Sequence, residues 1–294
     1  MDGAREALPE YFKILGGGRK ARFLECDNLE DKVFKAKSFL SSCMLCERRC
    51  GVDRTASERG FCGVLEPRIS SKFLHLGEEA EIIPSYTIFF SGCTFPCVFC
   101  QNWAISQNPR GGVELHAETL ASMINNISAR NVNWVGGDPT PNLPFILEVL
   151  AYVEKNIPQV WNSNLYLTEE SMSLLDGVID LYLTDFKYGC DECAVKYSQA
   201  KDYWKIITRN HLEARRQVEV IIRHLVLPNH VDCCTKPILE WISKNLENVR
   251  VNIMEQYRPE YKACDYPEIN TRLSTNEFRE ALDYGRELDL NIVR

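Results

Sequence analysis

The chain has 294 residues, enough to bury a sizeable core as one large domain or as one domain with an appendage. Its hydrophobic fraction of 45% and charged fraction of 26% are ordinary for a soluble globular protein. A net charge of −7 argues against a general nucleic-acid binder, since phosphate recognition needs clustered lysine and arginine, and leaves only a local basic groove open.

Met1 to Leu15 mixes Asp2, Arg5, Glu6, Glu10 and Lys13 into its apolar residues, so no secretory signal is expected there. No apolar run is long enough to span a bilayer, and a cytoplasmic protein without a membrane partner is expected. Residues 1 to about 80 carry few strand signals, a helical stretch around Leu29–Ser41, and then a dense cysteine segment. From about residue 84 short apolar, β-branched or aromatic runs alternate with longer segments of helical period. Strands are expected at Tyr86–Ser91, Asn133–Gly136, Val160–Tyr166, Leu181–Asp185, Val218–Leu227 and Val249–Gln256. Helices are expected at Ala117–Ala129, Leu143–Lys155, Glu169–Asp176, Trp204–Arg216, Lys236–Asn245 and Thr275–Leu288, with Asn291–Val293 as a terminal strand or docking tail.

Strands alternating with helices imply parallel β-α-β units with right-handed crossovers. About six units are too few for a full eight-stranded barrel, so the fold class expected is α/β, a partial (β/α)6 TIM-like barrel. Residues 81–294 would form it, and residues 1–80 would be a small N-terminal cysteine-rich, metal-binding extension. Ligands in such parallel architectures sit at the carboxyl ends of the strands.

Thirteen cysteines is a high count, and in a reducing compartment clustered cysteines bind metal or do redox chemistry more often than they form disulfides. Cys93, Cys97 and Cys100, spaced C-x3-C-x2-C, follow the first strong strand directly. Three thiolates in a compact loop can each bind one iron of a cubane cluster that normally takes four. The iron left without a protein ligand can bind a small molecule, as a catalytic metal keeps an open position. Three buried apolar cysteines, or a zinc loop closed by a distant ligand, are the alternatives.

The loop, with Phe99 before its last cysteine, resembles the cluster-binding motif of the radical S-adenosylmethionine (SAM) superfamily. The resemblance implies a [4Fe–4S] cluster on Cys93, Cys97 and Cys100 whose open iron is chelated by SAM. Reductive cleavage of SAM would give methionine and a 5′-deoxyadenosyl radical that abstracts hydrogen from a substrate. Trp134-Val135-Gly136-Gly137-Asp138-Pro139 resembles the family's Gly-Gly-Glu motif, with Asp138 as a shorter acceptor and glycines that let backbone approach a ligand. Asn162-Ser163-Asn164 resembles a Thr-Asn-Gly stretch near the SAM site of activating enzymes. Asp185 and Lys187 share a strand face if the strand continues, are expected as an ion pair in the barrel mouth, and resemble the Asp-x-Lys of glycyl-radical-enzyme activases. Arg223 opens an Arg-x3-Leu-Pro pattern of the same kind and could contact the SAM carboxylate or ribose; His224 and His230 are weaker candidates. Gln256, Tyr257 and Arg258 are read as lining the site.

The resemblance covers about residues 84 to 260 and points to the pyruvate formate-lyase activating enzyme-like branch. It implies an oxidoreductase with an electron donor such as a flavodoxin or ferredoxin, and as substrate a glycyl radical enzyme, another protein or peptide, or a small molecule. A reading of another class is a non-catalytic Fe–S or zinc protein, for which strand-end SAM motifs would have no use. Cys43, Cys46, Cys50 and Cys62, spaced C-x2-C-x3-C-x11-C, can close a zinc site or ligate an auxiliary Fe–S cluster. They also resemble an N-terminal extension of activase-like members. Cys190 and Cys193 form another C-x2-C, and Cys233, Cys234 and Cys264 remain; with no further clustering in sequence none of them is assigned to metal, though the fold could bring them together.

Overall fold

Eight strands make one sheet: β1 (Arg68–His75), β2 (Ser85–Phe90), β3 (Val113–Glu114), β4 (Asn131–Gly136), β5 (Gln159–Ser163), β6 (Leu181–Asp185), β7 (Glu219–Leu225) and β8 (Arg250–Met254). The computed structural model describes residues 2–293. The strand order is β3-β1-β2-β4-β5-β6-β7-β8. The six strands β2, β4, β5, β6, β7 and β8 run parallel in chain order, and β1 lies antiparallel to β2 and β3. This is the expected partial (β/α)6 barrel, with an antiparallel ribbon added along its first strand.

The parallel strands are covered on both faces, so nearly every residue in them is buried, polar ones such as Asn133 and Gln159 included. Outward residues such as Trp134, Trp161 and Tyr182 pack in one core with the helices Leu143–Leu150, Glu169–Leu175, Tyr203–Gln217 and Lys236–Asn245. The inward face changes character along its length. Near the amino ends, Val160, Leu181, Leu183 and Ile221 cluster with Ala7, Leu8, Tyr11 and Ile82, so the N-terminal helices stopper the bottom of the barrel. Two residues further along the same face stand Asn162, Asp185 and Arg223. The interior is therefore closed and apolar below, polar and open above.

Several elements depart from expectation. The region before residue 80 holds a real strand, β1, whose Arg-Ile-Ser-Ser-Lys-Phe-Leu-His sequence has no clean alternation. The third expected strand stops at Ser163, because Ser163 Oγ accepts the Leu165 N–H at 3.1 Å and Asn164 Oδ1 accepts the Tyr166 N–H at 2.9 Å, turning the chain. A helix not expected from the sequence, Asp191–Ser198, follows β6. Ala21, Phe23, Leu29, Ala36 and Leu45 share one core with the barrel, so residues 1–80 and 81–294 pack continuously. The C-terminal tail pairs with β8 through Val251 and Ile292. No helix among the described residues is long and apolar enough to cross a membrane.

Candidate active site

A cavity of about 740 Å³ opens at the carboxyl ends of the parallel strands, a volume suited to a small-molecule ligand. Cys93, Cys97, Phe99 and Cys100 from the loop after β2 line it, as do Gly136, Gly137 and Asp138 after β4 and Asn162 and Asn164 at the end of β5. Asp185 at the end of β6, Lys187 just beyond it and Arg223 of β7 complete the set, so these residues face one space. Gln256 joins them. Tyr257 and Arg258 do not: Tyr257 is buried and donates to the Ile269 carbonyl at 2.6 Å, while Arg258 pairs with Glu260 at 2.9 Å. His224 is also structural, its ring bonded to the Phe186 carbonyl and the Thr235 hydroxyl, with burial lowering its pKa to about 4.

The cysteine loop is held by its neighbours sulfur by sulfur. Cys93 Sγ accepts the Phe95 N–H at 3.3 Å, Cys97 Sγ accepts the Ser198 hydroxyl at 2.9 Å, and Cys100 Sγ lies 3.2 Å from Ser106 Oγ. Such contacts favour a thiolate. Burial works the other way, raising Cys93 well above an ordinary thiol and Cys97 to about 11. Burial thus favours the protonated thiols of Cys93 and Cys97, and a metal must displace their protons to bind. Ser198 and Ser106 carried no sequence signal, since one comes from a helix about a hundred residues away.

Asp138 is consumed locally. Its carboxylate accepts the Thr140 N–H at 2.9 Å, the Ser163 hydroxyl at 3.0 Å and the Asn164 N–H at 3.1 Å, while burial raises its pKa. It ties the end of β4 to the end of β5. Asn164 turns toward the cysteine loop, donating to Thr94 Oγ1 at 2.9 Å with its amide 3.9 Å from Cys93 Sγ. Asn162 differs from both: its side-chain Nδ2 is buried on the cavity wall with no protein partner. A buried amide donor without an acceptor is costly, so this atom fits a ligand oxygen.

Lys187 Nζ donates to Asp185 Oδ2 at 2.7 Å on the β6 end. Burial disfavours the lysine's charge, but Asp185 and Cys97 outweigh it and hold the pKa above the usual lysine value. Arg223 reaches the cavity already paired: its Nε and Nη2 donate to the two Glu79 oxygens at 2.7 and 2.5 Å, and Nη2 also donates to Glu78. Asn252 donates to the same Glu79 at 2.8 Å. Burial alone would raise Glu79, and these partners hold it below the ordinary carboxylate value. The segment carrying Glu78, Glu79 and Glu81 thus enters the barrel as an acidic plug, with Arg250 answering Glu81 at 2.6 Å. Removing one partner of such a network strands a buried charge. Arg223→Met is expected to cost about 3–5 kcal/mol. A lowered urea midpoint would show it, and adding Glu78→Gln and Glu79→Gln should recover part of the loss.

Cys43, Cys46, Cys50 and Cys62 lie outside this cavity, behind the cysteine loop. They are gathered closely enough that Cys62, Cys43 and Cys50 add to the burial that raises the Cys46 thiol. Arg48, between them, donates to the Thr94 carbonyl at 3.1 Å and the Ser198 carbonyl at 3.1 Å, and stacks on Phe61. Arg54 is buried and donates to the Pro141 carbonyl at 2.8 Å. The cysteine-rich segment is thereby fastened to the loop that carries Cys93, Cys97 and Cys100.

Comparison with known proteins agrees with this geometry. The family model described as the Radical SAM superfamily matches residues 87–242, more than half of the chain. Uncharacterized protein MJ0674 of Methanocaldococcus jannaschii is 52% identical over 273 residues, spanning 90% of this chain and 80% of that protein. A second protein of the same organism, uncharacterized protein MJ0808, is 22% identical over 251 residues, or 76% of this chain and 73% of its own. Among solved structures, methylornithine synthase (PylB) shares the fold at a TM-score of 0.51 and 16% identity, covering 71% of this chain and 63% of that one. The matched region runs from β2, through the three-cysteine loop and every strand up to β7, into the helix Lys236–Asn245, and the chain belongs to the radical SAM superfamily.

Proposed function

We propose that Cys93, Cys97 and Cys100 hold a [4Fe–4S] cluster and that SAM occupies the cavity beside it. The observation that carries this reading is the convergence of three thiols and the unpaired Asn162 amide on one cavity of about 740 Å³. When bound and reduced, the cluster supplies the electron for SAM cleavage and so the radical that takes hydrogen from a substrate. The protein's own part is to hold and tune. Ser198 donates to Cys97, Ser106 stands against Cys100, and the Lys187 cation favours the Cys97 thiolate. Asn162 offers a donor to an oxygen of SAM, and Gly136 and Gly137 let the end of β4 pack directly on the backbone of β2 and the cysteine loop. The Glu78 and Glu79 pairing keeps the Arg223 guanidinium fixed at the cavity floor.

The finer assignment is an activase-like oxidoreductase acting on a glycyl radical enzyme or another protein or peptide, with a flavodoxin or ferredoxin as electron donor. Asp185-Phe186-Lys187 and the Arg223-x3-Leu227-Pro228 pattern support it. Cys43, Cys46, Cys50 and Cys62 form a second metal centre, zinc or auxiliary Fe–S, in residues 1–80, and barrel residues 81–294 carry the chemistry.

The test is anaerobic: reconstitute the chain with iron and sulfide, reduce it, add SAM, and quantify both SAM binding and 5′-deoxyadenosine. Cluster-dependent 5′-deoxyadenosine is the expected result. A fully loaded, reduced chain that neither binds nor cleaves SAM would overturn the reading in favour of an electron carrier.

A further inference from the structure

Beyond the cavity, two cysteine pairs far apart in sequence, Cys190 with Cys193 and Cys233 with Cys234, meet in two overlapping groups. Cys190 and Cys193 flank the start of the helix Asp191–Ser198, and Cys233 and Cys234 sit in the π-helical turn Val231–Thr235 before the helix Lys236–Asn245. The sulfurs of Cys190, Cys193 and Cys234 all lie within 4.8 Å of one another. Cys193, Cys233 and a ring nitrogen of His230 form a second such group, and the Cys233 and Cys234 sulfurs are 4.0 Å apart. Cys234 is buried, Cys190 and Cys193 half-buried, and Cys233 exposed.

The backbone is shaped for this meeting. A Cβ on Gly189 would stand 2.6 Å from the Cys233 carbonyl oxygen and 2.7 Å from Cys234 Cα, so only glycine lets the two segments approach this closely. The π turn adds a residue to the helical start and sets two adjacent cysteines beside the same partner segment; such bulges are frequent at functional sites.

The spacing selects the chemistry. A tetrahedral zinc with bonds of about 2.3 Å to sulfur places its thiolates roughly 3.8 Å apart. A cubane cluster, with each thiolate on a different iron, needs them further apart. His230 is already engaged through both nitrogens, with the Pro228 carbonyl at 2.7 Å and the Tyr197 hydroxyl at 3.0 Å, which leaves Cys233 as the natural fourth ligand.

We propose that Cys190, Cys193, Cys233 and Cys234 bind one tetrahedral, thiolate-loving divalent cation of the zinc type. Each thiol gives up its proton as it ligates. The site also has a mechanical consequence. The helix that begins at Cys193's turn ends at Ser198, which donates to Cys97 Sγ at 2.9 Å, while Tyr197's carbonyl accepts the Val98 N–H at 2.9 Å. A cation at one end of that short helix pins the element that clamps the cysteine loop at the other.

The experiment compares the native chain with Cys190→Ser, Cys193→Ser and Cys234→Ser, each prepared anaerobically and checked for folding by circular dichroism, with Cys264→Ser as control. Zinc and iron are counted by elemental analysis, and cobalt is then exchanged in. The expected result is that each folded site variant retains about one equivalent of zinc less than the native and control chains, without loss of iron. Each should also lose the sulfur-to-cobalt charge-transfer and tetrahedral bands assignable to this site. Equal zinc content and equal cobalt spectra in native and folded variants would overturn the proposal. So would a Cys193 disulfide to Cys190 or Cys234 in the anaerobic native chain, which would make the group a redox pair. Cys190→Ser, at a half-buried position, keeps the test readable if Cys234→Ser does not fold.

Discussion

Replacing Cys97 by alanine is expected to abolish 5′-deoxyadenosine formation in a chain that still folds. Cys97 is the buried member of the three, seated between the Ser198 hydroxyl and the Lys187 cation, and it lines the cavity where SAM is placed. Removing its sulfur leaves two thiols for a four-iron cluster, too few to hold one with a single open corner. The loss of one small side chain beside a cavity costs only about 1 kcal/mol, so the fold survives. Ser198→Ala separates ligand from positioning residue. It keeps the sulfur and removes the hydrogen bond to it, together with the bond between Ser198 and the Tyr188 hydroxyl at 2.5 Å, and outer-sphere changes of this kind cost about 10–100-fold in metal affinity or activity. Iron content, sulfide content and 5′-deoxyadenosine yield, measured on native chain, Cys97→Ala and Ser198→Ala together, check both expectations. A Cys97→Ala chain with native iron and native product would remove Cys97 from the ligand set.

What was legible in the sequence was whatever repeats at short range. The β/α alternation places six parallel strands, and Leu181–Asp185 and Lys236–Asn245 end where local patterning puts them. The cysteine triplet, Gly136-Gly137-Asp138, Asn162, Asn164, Asp185, Lys187 and Arg223 could be placed because in a parallel barrel chemistry gathers where strands end. The misses are long-range partners. Glu78 and Glu79 meet Arg223 across more than 140 residues, and nothing local marks a run of acids as an internal plug. Ser198 reaches Cys97 from a helix that itself went unread, because Asp-Glu-Cys-Ala-Val-Lys-Tyr-Ser has only a weak apolar stripe. β1 exists because the edge of β2 offers unpaired backbone groups, a tertiary reason that its own residues do not announce. Tyr257 and Arg258 look like site residues in sequence because they follow a strand. The chain leaves β8 at Met254, and the two side chains turn to Ile269 and Glu260.

Gly137→Ala is expected to be among the most damaging single changes in the chain. An alanine Cβ there would stand 2.1 Å from the Gly92 carbonyl oxygen, 2.7 Å from its carbon and 2.8 Å from Ser106 Cα. All three are backbone atoms, so no rotamer change relieves the contact; either β4's end or the cysteine loop must move. Moving either breaks two bonds that dock the loop, Gly137 N–H to the Phe90 carbonyl at 2.9 Å and Asp138 N–H to the Gly92 carbonyl at 3.1 Å. Asp138 would then leave its seat on Thr140, Ser163 and Asn164, and Asn164 would lose its hold on Thr94. Steric strain plus a disrupted buried network belongs to the exceptional class of changes above about 4 kcal/mol, a large share of the 5–15 kcal/mol that holds a typical domain together. Gly177→Ala supplies the comparison: it has a positive φ of 73° but no atom within 4 Å, so only the backbone penalty of about 1–2 kcal/mol applies. Urea midpoints for the two variants, with iron retention after reconstitution, distinguish crowding from conformational preference. If Gly137→Ala matched Gly177→Ala in stability and kept its iron, the close packing of the Gly-Gly turn against the cysteine loop would not be what holds that loop in place.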